Sequence, residues 1–425
     1  MSASVVRAGR FGVVPEDFGA LVLSFTAFTL LLASYYLLRP VRDALAATVG
    51  ADSIKYLSSV VFIVMLLIVP VFGWLAAHVA RPRLVPGLYA FFIVNLCVFA
   101  LAFGRDASTD AVGNWLARAF YVWVTVFNMF AVSVFWSRMA EVWSESQGRR
   151  YFGWVSAGGS LGGLLGPVLA RVLAANVAIS GLVWISAGLL LGSLIALSLL
   201  ARPAGDRLPA ESVVRVEPTG GAMLEGLWLI GRTPFLAGIA ALVSLSSFLG
   251  MVVYIEMARL VGAAYSSAVT RTEFYATRDL WVNLGAFVLQ LFVVGQVTRR
   301  LGVGPALVVS GGVVFVAFVA LGLTPTLAVL TVISVVLRCA EFGLAKPARD
   351  MLYTVVPPAA KYQSKNVIDT ALYRGSDMLS GWIQSVVGRL GVGLGGWGWI
   401  AAVLSVVLAT VGALVGRDYR RRGGK

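Results

Sequence analysis

The run LSSVVFIVMLLIVPVFGWLAAHV, residues 57–79, contains no Asp, Glu, Lys or Arg. An α-helix rises by about 1.5 Å per residue, so about twenty apolar residues reach across the hydrocarbon core of a bilayer. A run of this length and composition therefore predicts a helix that spans a membrane.

Runs of similar length recur along the whole chain. The candidate spans are 18–38, 57–79, 84–103, 115–137, 151–170, 178–200, 234–255, 279–298, 303–322, 325–345, 366–388 and 393–415. Apolar residues make up 59% of the 425 residues, charged residues make up 13%, and the mean hydropathy is +0.87. A soluble protein of this size could not bury so much apolar surface. We therefore predict an all-α, polytopic membrane protein with 12 transmembrane helices in two six-helix halves.

A polar, turn-rich connector separates the two sets of six spans. We predict an N-terminal bundle at 1–200, a cytoplasmic linker at 201–232, and a C-terminal bundle at 233–425 that ends in a basic tail. A Gly followed by two Arg comes after the second span (GWLAAHVARPRLVPG, from Gly73) and after the eighth (GQVTRRLGVGPAL, from Gly295). This match indicates duplication, as in six-plus-six transporters. Both segments resemble the helix 2–3 loop signature of the major facilitator superfamily, without its acidic residue.

Lys and Arg are distributed unevenly between the two sides of the predicted membrane. With the N-terminus in the cytoplasm, the cytoplasmic side receives about twice as many of these residues as the other side, in agreement with the positive-inside rule. We therefore expect both termini to be cytoplasmic. Topology accounts for most of the formal net charge of +14, so we expect no nucleic-acid partner.

Few residues have the chemistry of a metal site or a nucleophile. Cys97 and Cys339 both fall in predicted spans, which excludes a disulfide framework or a zinc site, and the single histidine, His78, lies at a predicted helix end. We find no nucleophile motif, metal-ligand set or soluble domain. We therefore expect no enzymatic activity, no catalytic residue, no metal and no cofactor. The expected state is a monomer whose partners are the lipid bilayer and a small substrate.

The stretch RCAEFGLAKPARDMLYTVVPPAAKYQSKNVIDTALYRGSD, residues 338–377, concentrates the charge of the C-terminal half. Charges on spanning segments are costly and are kept mainly where they pair, line a watery cavity or bind a ligand. A cytoplasmic loop flanked by positive-inside charges is the alternative. Arg338 and Glu341 are three residues apart on the predicted tenth helix, and a structural ion pair between them is the alternative to a role in binding substrate.

Polar residues recur every fourth position at the start of the eleventh span. These residues are Lys365, Asp369, Tyr373 and Asp377, and Arg374 lies beside them. Such a stripe would be intolerable against lipid. We therefore predict that it faces the interior of the bundle.

The first span ends in YYLLRPVRD, residues 35–43. We expect Pro40 to kink or end the helix. Arg39, Arg42 and Asp43 would then lie near the outer end of the bundle, three or four residues apart and on one face. Flanking charge without a binding role is the alternative.

Helix 5 carries a repeat of small residues, Gly158, Gly162 and Gly166, at four-residue spacing. Small residues at this spacing let membrane helices approach closely. A phosphate-binding loop would instead need a strand before the glycines and a helix after them. We predict close helix packing.

Three stretches are similar to a known family. They are LLRPVRDALAATVGADSIKYL (37–57), FWSRMAEVWSESQGRRYFGWVSAGGSLGG (135–163) and KPARDMLYTVVPPAAKYQSKNVIDT (346–370). Together they resemble the nucleotide transporter family, the ATP/ADP translocases of plastids and of obligate intracellular bacteria, which have the major facilitator fold. The likeness extends over both halves of the chain.

The resemblance implies exchange of nucleoside tri- and diphosphates across a bacterial inner (plasma) membrane. By this resemblance Arg39, Arg42 and Asp43 hold the charged positions of the first helix, with Arg42 in place of a Lys. Further matches to the family's later motifs are Arg349, Asp350, Met351 and Tyr353, then Lys365, Ile368 and Asp369. The chain departs from the family at Gln363, where a Lys is common, and in helix 4, which lacks the expected acidic residue.

The functional prediction is a secondary-active transporter of an anionic substrate. Arg and Lys of helices 1, 10 and 11 would replace the hydration of the phosphates, Arg by bidentate contacts. The candidate substrate-binding residues are Arg39, Arg42, Asp43, Arg338, Arg349, Lys365, Asp369, Tyr373, Arg374 and Asp377. The main alternative is a proton-coupled carrier of another phosphorylated or carboxylated metabolite. A membrane enzyme or a non-transporting sensor would be a different class of protein.

Overall fold

The computed structural model describes residues 14–79, 81–105, 111–200, 220–294 and 302–423. Within these ranges every regular element is helical, and ten helices are long and apolar enough to cross a membrane. The predicted all-α, polytopic fold class is confirmed.

The N-terminal half of the sequence contains six long helices. They are α1 (Pro15–Val49), α2 (Ile54–His78), α3 (Arg81–Arg105), α4 (Ala111–Val142), α5 (Glu145–Ala174) and α6 (Ile179–Leu199). A 3-10 turn, Ala51–Ser53, joins α1 to α2. Each helix covers one of the first six predicted spans to within one residue at either end.

The C-terminal half is more finely divided. Its helices are α7 (Gly220–Arg232), α8 (Pro234–Ala264), α9 (Ala268–Leu289), α10 (Val303–Leu323), α11 (Leu327–Ala340), α12 (Lys346–Leu352), α13 (Pro358–Val367), α14 (Tyr373–Arg389) and α15 (Leu394–Arg421). Three π-turns continue α9, α11 and α13 without a break: Gln290–Val294, Glu341–Ala345 and Ile368–Leu372.

Two predicted spans are not among the ten apolar helices. The predicted span 279–298 falls on α9 and its π-turn, and its last residues lie outside the described ranges. The predicted span 366–388 falls on α13, its π-turn and α14. Both regions are helical, but their charged residues make them less apolar than the other ten.

The chain divides into two compact units. The first unit takes in residues up to Arg42, Leu75–Val216 and Thr272–Thr277, and the second takes in Asp43–Trp74, Glu217–Arg271 and the residues from Arg278 onwards. The division at 1–200, 201–232 and 233–425 stays a prediction. Residues 201–219 of the predicted linker lie outside the described ranges, and its remaining residues form α7.

Helix α1 does not end at Pro40. It continues without interruption to Val49, so Arg42 and Asp43 lie inside the helix rather than beyond its end. Proline removes one backbone hydrogen bond. Ending the helix would expose several backbone groups that have no water to bind in hydrocarbon, so one missing bond is the smaller cost.

The glycines of α5 pack against the backbone of α1, within the first unit. A Cβ atom added to Gly158 would lie 2.6 Å from the Phe25 carbonyl oxygen, and one added to Gly162 would overlap the Thr29 carbonyl oxygen. The Thr29 hydroxyl donates to the Gly158 carbonyl oxygen over 2.9 Å. The predicted close helix packing is confirmed.

Replacing Gly162 by leucine is expected to destabilise the first unit. The new side chain would meet backbone atoms, which cannot move aside as a flexible side chain can, and overpacking of this kind costs about 1–3 kcal/mol or more. Gly153→Leu on the same helix is the matched control, because a Cβ there meets nothing within 4 Å. Thermal unfolding in detergent measures both variants. Equal melting temperatures would contradict the packing interpretation.

Candidate functional site

The charged stretch 338–377 is almost entirely helical. Helices α11 to α14 and their two π-turns account for most of it, and a 3-10 turn, Tyr353–Val355, lies before the start of α13. The backbone is thus helical, while the alternative of a cytoplasmic loop flanked by positive-inside charges stays open. The charged side chains are held on helical backbone, all within the second unit.

The π-turn Glu341–Ala345 determines which cation forms an ion pair with Glu341. In a regular α-helix, residues eight apart point about 80° away from each other. A π-turn takes in one extra residue, which brings Arg349 to within about 20° of Glu341 around the helix. Arg349 Nη1 lies 3.0 Å from Glu341 Oε1, and the Arg349 side chain is only 11% exposed.

The alternative of an ion pair between Arg338 and Glu341 is wrong. Glu341 is engaged by Arg349, while the Arg338 guanidinium lies 6.0 Å from the centroid of the Phe342 ring. Gln290 Nε2 donates to the Phe342 carbonyl oxygen over 3.2 Å, so the π-turn is itself bound by a side chain of another helix segment.

Lys365 projects from α13 towards the end of α12. Its Nζ lies 2.6 Å from Asp350 Oδ1 and 5.3 Å from the centroid of the Tyr353 ring. Both members of the ion pair are more than one-third exposed, so water weakens their attraction. The Tyr353 hydroxyl is buried and has no hydrogen-bond partner among the described residues.

Asp377 binds side chains of two helices. The Ser247 hydroxyl of α8 donates to Asp377 Oδ1 over 2.5 Å, and Arg374 Nη1 lies 3.2 Å from Asp377 Oδ2. The Arg374 guanidinium also lies 5.3 Å from the centroid of the Tyr373 ring. Asp377 is thus held at the contact between α14 and α8.

The π-turn Ile368–Leu372 also keeps the predicted polar stripe together. Twelve residues of regular α-helix separate side chains by about 120° around the axis. The extra residue of the π-turn reduces this angle between Lys365 and Asp377 to about 20°. Asp369 is exposed and forms no ion pair with any residue that the structure describes.

Within residues 338–377, the cations outnumber the ion pairs that they form with carboxylates. Glu341, Asp350 and Asp377 each hold one cation. Three further cations have no ion-pair partner in the described part of the chain; they are Arg338, Lys346 and Lys361. An anion placed among these helices would therefore find Arg and Lys donors.

Arg39 and Arg42 belong to the first unit. Arg39 is buried, with its guanidinium 5.7 Å from the centroid of the Tyr36 ring. Arg42 Nη1 lies 3.5 Å from the hydroxyl of Thr125, and its guanidinium lies 5.3 Å from the centroid of the Tyr121 ring. Thr125 and Tyr121 are both on α4. Aromatic and hydroxyl groups thus contact the two cations.

Asp43 forms a buried charge cluster in the second unit. Its Oδ2 lies 3.2 Å from Arg278 Nη2, and the Tyr254 hydroxyl donates to its Oδ1 over 3.2 Å. Arg278 Nη2 also lies 2.7 Å from Asp279 Oδ1. The two carboxylates and the guanidinium are each less than 10% exposed.

The predicted spans do not include Arg278 and Lys55, although both side chains are buried in the structure. Arg278 lies inside α9, ten residues after the helix begins at Ala268. Lys55 Nζ donates to the Ser385 hydroxyl over 2.6 Å and lies 5.3 Å from the Trp382 ring centroid. Arg278 and Asp279 are adjacent in the sequence, which could have indicated a buried ion pair. No sequence pattern indicated that Lys55 would be buried.

The structure offers no evident metal site in the part of the chain that it describes, because no group of three or more His, Cys, Asp or Glu side chains comes together there. Of the ten candidate substrate-binding residues, eight lie in the second unit and two in the first. Their binding role stays a prediction.

The sequence and fold were compared with known proteins. A family model described as Major Facilitator Superfamily matches residues 18–363. No curated protein matches the sequence.

Solved membrane transporters have a similar fold. A bacterial homologue of the human lysosomal transporter Spinster is 14% identical, with a TM-score of 0.61 over 97% of this chain and 99% of that one. The nucleoside transporter NupG is 13% identical, with a TM-score of 0.58 over 96% and 99%. The human organic anion transporter MFSD10 is 14% identical, with a TM-score of 0.60 over 94% and 99%. At these identities the likeness shows the fold.

Proposed function

The chain belongs to the major facilitator superfamily and is a secondary membrane transporter, and on this premise we propose that it exchanges nucleotides of the ATP/ADP type by alternating access. The bacterial inner membrane, with both termini in the cytoplasm, is the proposed location. The proposal concerns which substrate the protein transports.

The excess of cations on helices α11 to α14 is the observation that carries the proposal. A nucleoside di- or triphosphate bears about three to four negative charges and cannot cross hydrocarbon unaided. Arg gives bidentate contacts to phosphate, and Lys gives a point charge. Arg338, Arg349 and Lys365 supply both kinds of donor within one compact unit.

The ion pairs of Arg349 and Lys365 suggest how a phosphate group would bind. In the proposed bound state, a phosphate replaces Glu341 as the partner of Arg349 and replaces Asp350 as the partner of Lys365. The buried Tyr353 hydroxyl, beside Lys365, is a further donor for phosphate. A protein without substrate would then keep these cations neutralised by its own carboxylates.

The uncompensated cations support exchange rather than one-way transport. After the three pairs are counted, Arg338, Lys346 and Lys361 remain, and the one unpaired carboxylate of the stretch, Asp369, offsets only one of these three charges. Moving such charge through a low-dielectric region is costly without an anion. A bound nucleotide on each half-cycle would remove that cost. NupG is described as a nucleoside transporter and MFSD10 as an organic anion transporter, and a nucleotide combines both chemistries.

Uptake of labelled ADP into liposomes that contain the purified protein tests the proposal. We expect uptake only when the liposomes hold unlabelled nucleotide. Arg42→Ala and Lys365→Ala should each lower it about tenfold or more, since each removes a charged donor. Arg389→Ala, which removes an exposed cation at the end of α14, should transport normally. Folded protein that shows no uptake under any loading would refute the nucleotide assignment.

A proton-coupled carrier of another anionic metabolite is the second candidate. The cluster of Asp43, Arg278 and Asp279 favours it, because buried carboxylates inside membrane proteins are typical of proton relays. An imposed proton gradient distinguishes the two candidates. Accumulation that needs the gradient, needs no internal substrate and is lost in Asp279→Asn would favour the second.

A further inference from the structure

Helices α10 and α15 pack against each other along their whole length, within the second unit. A Cβ on Gly304 would lie 3.0 Å from the Gly416 Cα, and one on Gly311 would lie 2.9 Å from the Ala409 Cα. Residue numbers rise on α10 as they fall on α15, so the helices are antiparallel. Small residues bring the two backbones close, as is common between membrane helices.

A groove of ≈ 450 Å³ runs along one side of this helix pair. Its walls are apolar side chains of both helices, among them Phe315, Val406 and Leu414, which are all exposed. On α15 it extends from Ser405 to Arg417, a distance of about 18 Å. This length is close to half of the roughly 30 Å hydrocarbon core, which is the depth of one leaflet.

The surroundings of the groove follow from the helices that form it. Both α10 and α15 are long and apolar enough to span a membrane. In a bilayer, an exposed apolar groove on two such helices would face lipid chains.

Arg417 gives the groove a charged end. It is exposed and forms no ion pair with any described residue. Its neighbour Asp418 is engaged elsewhere, with Arg422 Nε 3.1 Å from Asp418 Oδ2. A cation at the end of an apolar groove between membrane helices complements the phosphate of a lipid headgroup.

We propose that this groove binds one anionic phospholipid, with an acyl chain between α10 and α15 and the phosphate against Arg417. The apolar walls give affinity for the chain, and Arg417 gives preference for a headgroup with net negative charge. The proposal is independent of which substrate the transporter carries.

Gly312 provides a way to fill the groove. It lines the groove, and a Cβ added there meets nothing within 4 Å, so leucine enters open space without displacing protein atoms. Gly188→Leu is the matched control. Gly188 is an exposed glycine on the apolar helix α6 and likewise has nothing within 4 Å.

Native mass spectrometry of the purified full-length chain tests the proposal, with dioleoyl phosphatidylglycerol and dioleoyl phosphatidylcholine as the two probes. We expect one phosphatidylglycerol to bind about tenfold more tightly than phosphatidylcholine. Gly312→Leu should lose binding of both lipids. Arg417→Gln should lose only the preference for phosphatidylglycerol, and Gly188→Leu and Arg389→Gln should behave as the unaltered protein does.

Three results would overturn the proposal. One is equal phosphatidylglycerol binding by Gly312→Leu and Gly188→Leu. Another is an unchanged headgroup preference in Arg417→Gln. The third is a change in oligomeric state in Gly312→Leu without loss of bound lipid, which would make the groove an interface between two copies of the chain. Size-exclusion chromatography verifies that each variant is folded.

Discussion

Arg349→Gln is expected to lower nucleotide uptake by about tenfold to a hundredfold. The guanidinium is 11% exposed and lies 3.0 Å from Glu341, at the centre of the cation-rich helices. Loss of a charged hydrogen-bond donor to substrate costs about 1.5–3 kcal/mol, and each 1.4 kcal/mol is about tenfold. Initial rates of labelled ADP uptake into loaded liposomes measure the effect.

A double variant separates binding of substrate from neutralisation of Glu341. If Arg349 acts only by neutralising that carboxylate, Glu341→Gln combined with Arg349→Gln should restore transport. We expect the double variant to recover thermal stability but not uptake, because the phosphate donor is still missing. Recovery of uptake in the double variant would show that Arg349 is structural.

Arg278→Met is expected to destabilise the second unit by about 3–5 kcal/mol. The change removes a guanidinium that lies 3.2 Å from Asp43 and 2.7 Å from Asp279, both of which are less than 2% exposed. Removal of one member of a buried ion pair is costly because the partner's charge cannot return to water. Thermal unfolding in detergent, with retention of monodisperse protein, provides the measurement.

The matched control neutralises the whole cluster. Asp43→Asn, Arg278→Met and Asp279→Asn together remove all three charges, with the same residue at position 278 as in the single variant. We expect this triple variant to be more stable than Arg278→Met alone. A triple variant as unstable as the single one would mean that packing of the arginine stem, rather than charge, determines the stability.

The membrane-spanning character of the chain could be predicted from the sequence. Apolar runs such as 57–79 determine that helices form and roughly where they lie, since backbone groups in hydrocarbon must be satisfied within one segment. The glycine repeat of α5 also predicted its role, because four-residue spacing places Gly158 and Gly162 on one helix face.

The partners of the charged residues could not be predicted in the same way. A π-turn has no simple sequence signal, yet the one at Glu341–Ala345 moves Arg349 onto the face of Glu341 and excludes the i,i+3 pair with Arg338. Continuation of α1 through Pro40 likewise depends on the membrane environment rather than on local propensity.

Ion pairs between residues far apart in the sequence could not be predicted either. Asp43 and Arg278 are 235 residues apart, and only the tertiary structure brings them together. The predicted spans 57–79 and 279–298 leave Lys55 and Arg278 just before their first residues, outside the membrane. Their burial shows that a cation near a predicted end can belong to the interior of the helix packing.

Binding of adenosine, AMP, ADP and ATP to the purified full-length protein, at low and at high salt, tests most directly whether the cations of α11 to α14 bind an anionic substrate. The account predicts that affinity rises with the number of phosphates, falls with added salt and weakens in Arg349→Gln but not in Arg389→Gln. Adenosine binding as tightly as ADP would contradict it, and so would an affinity for ADP that changes neither with salt nor in Arg349→Gln.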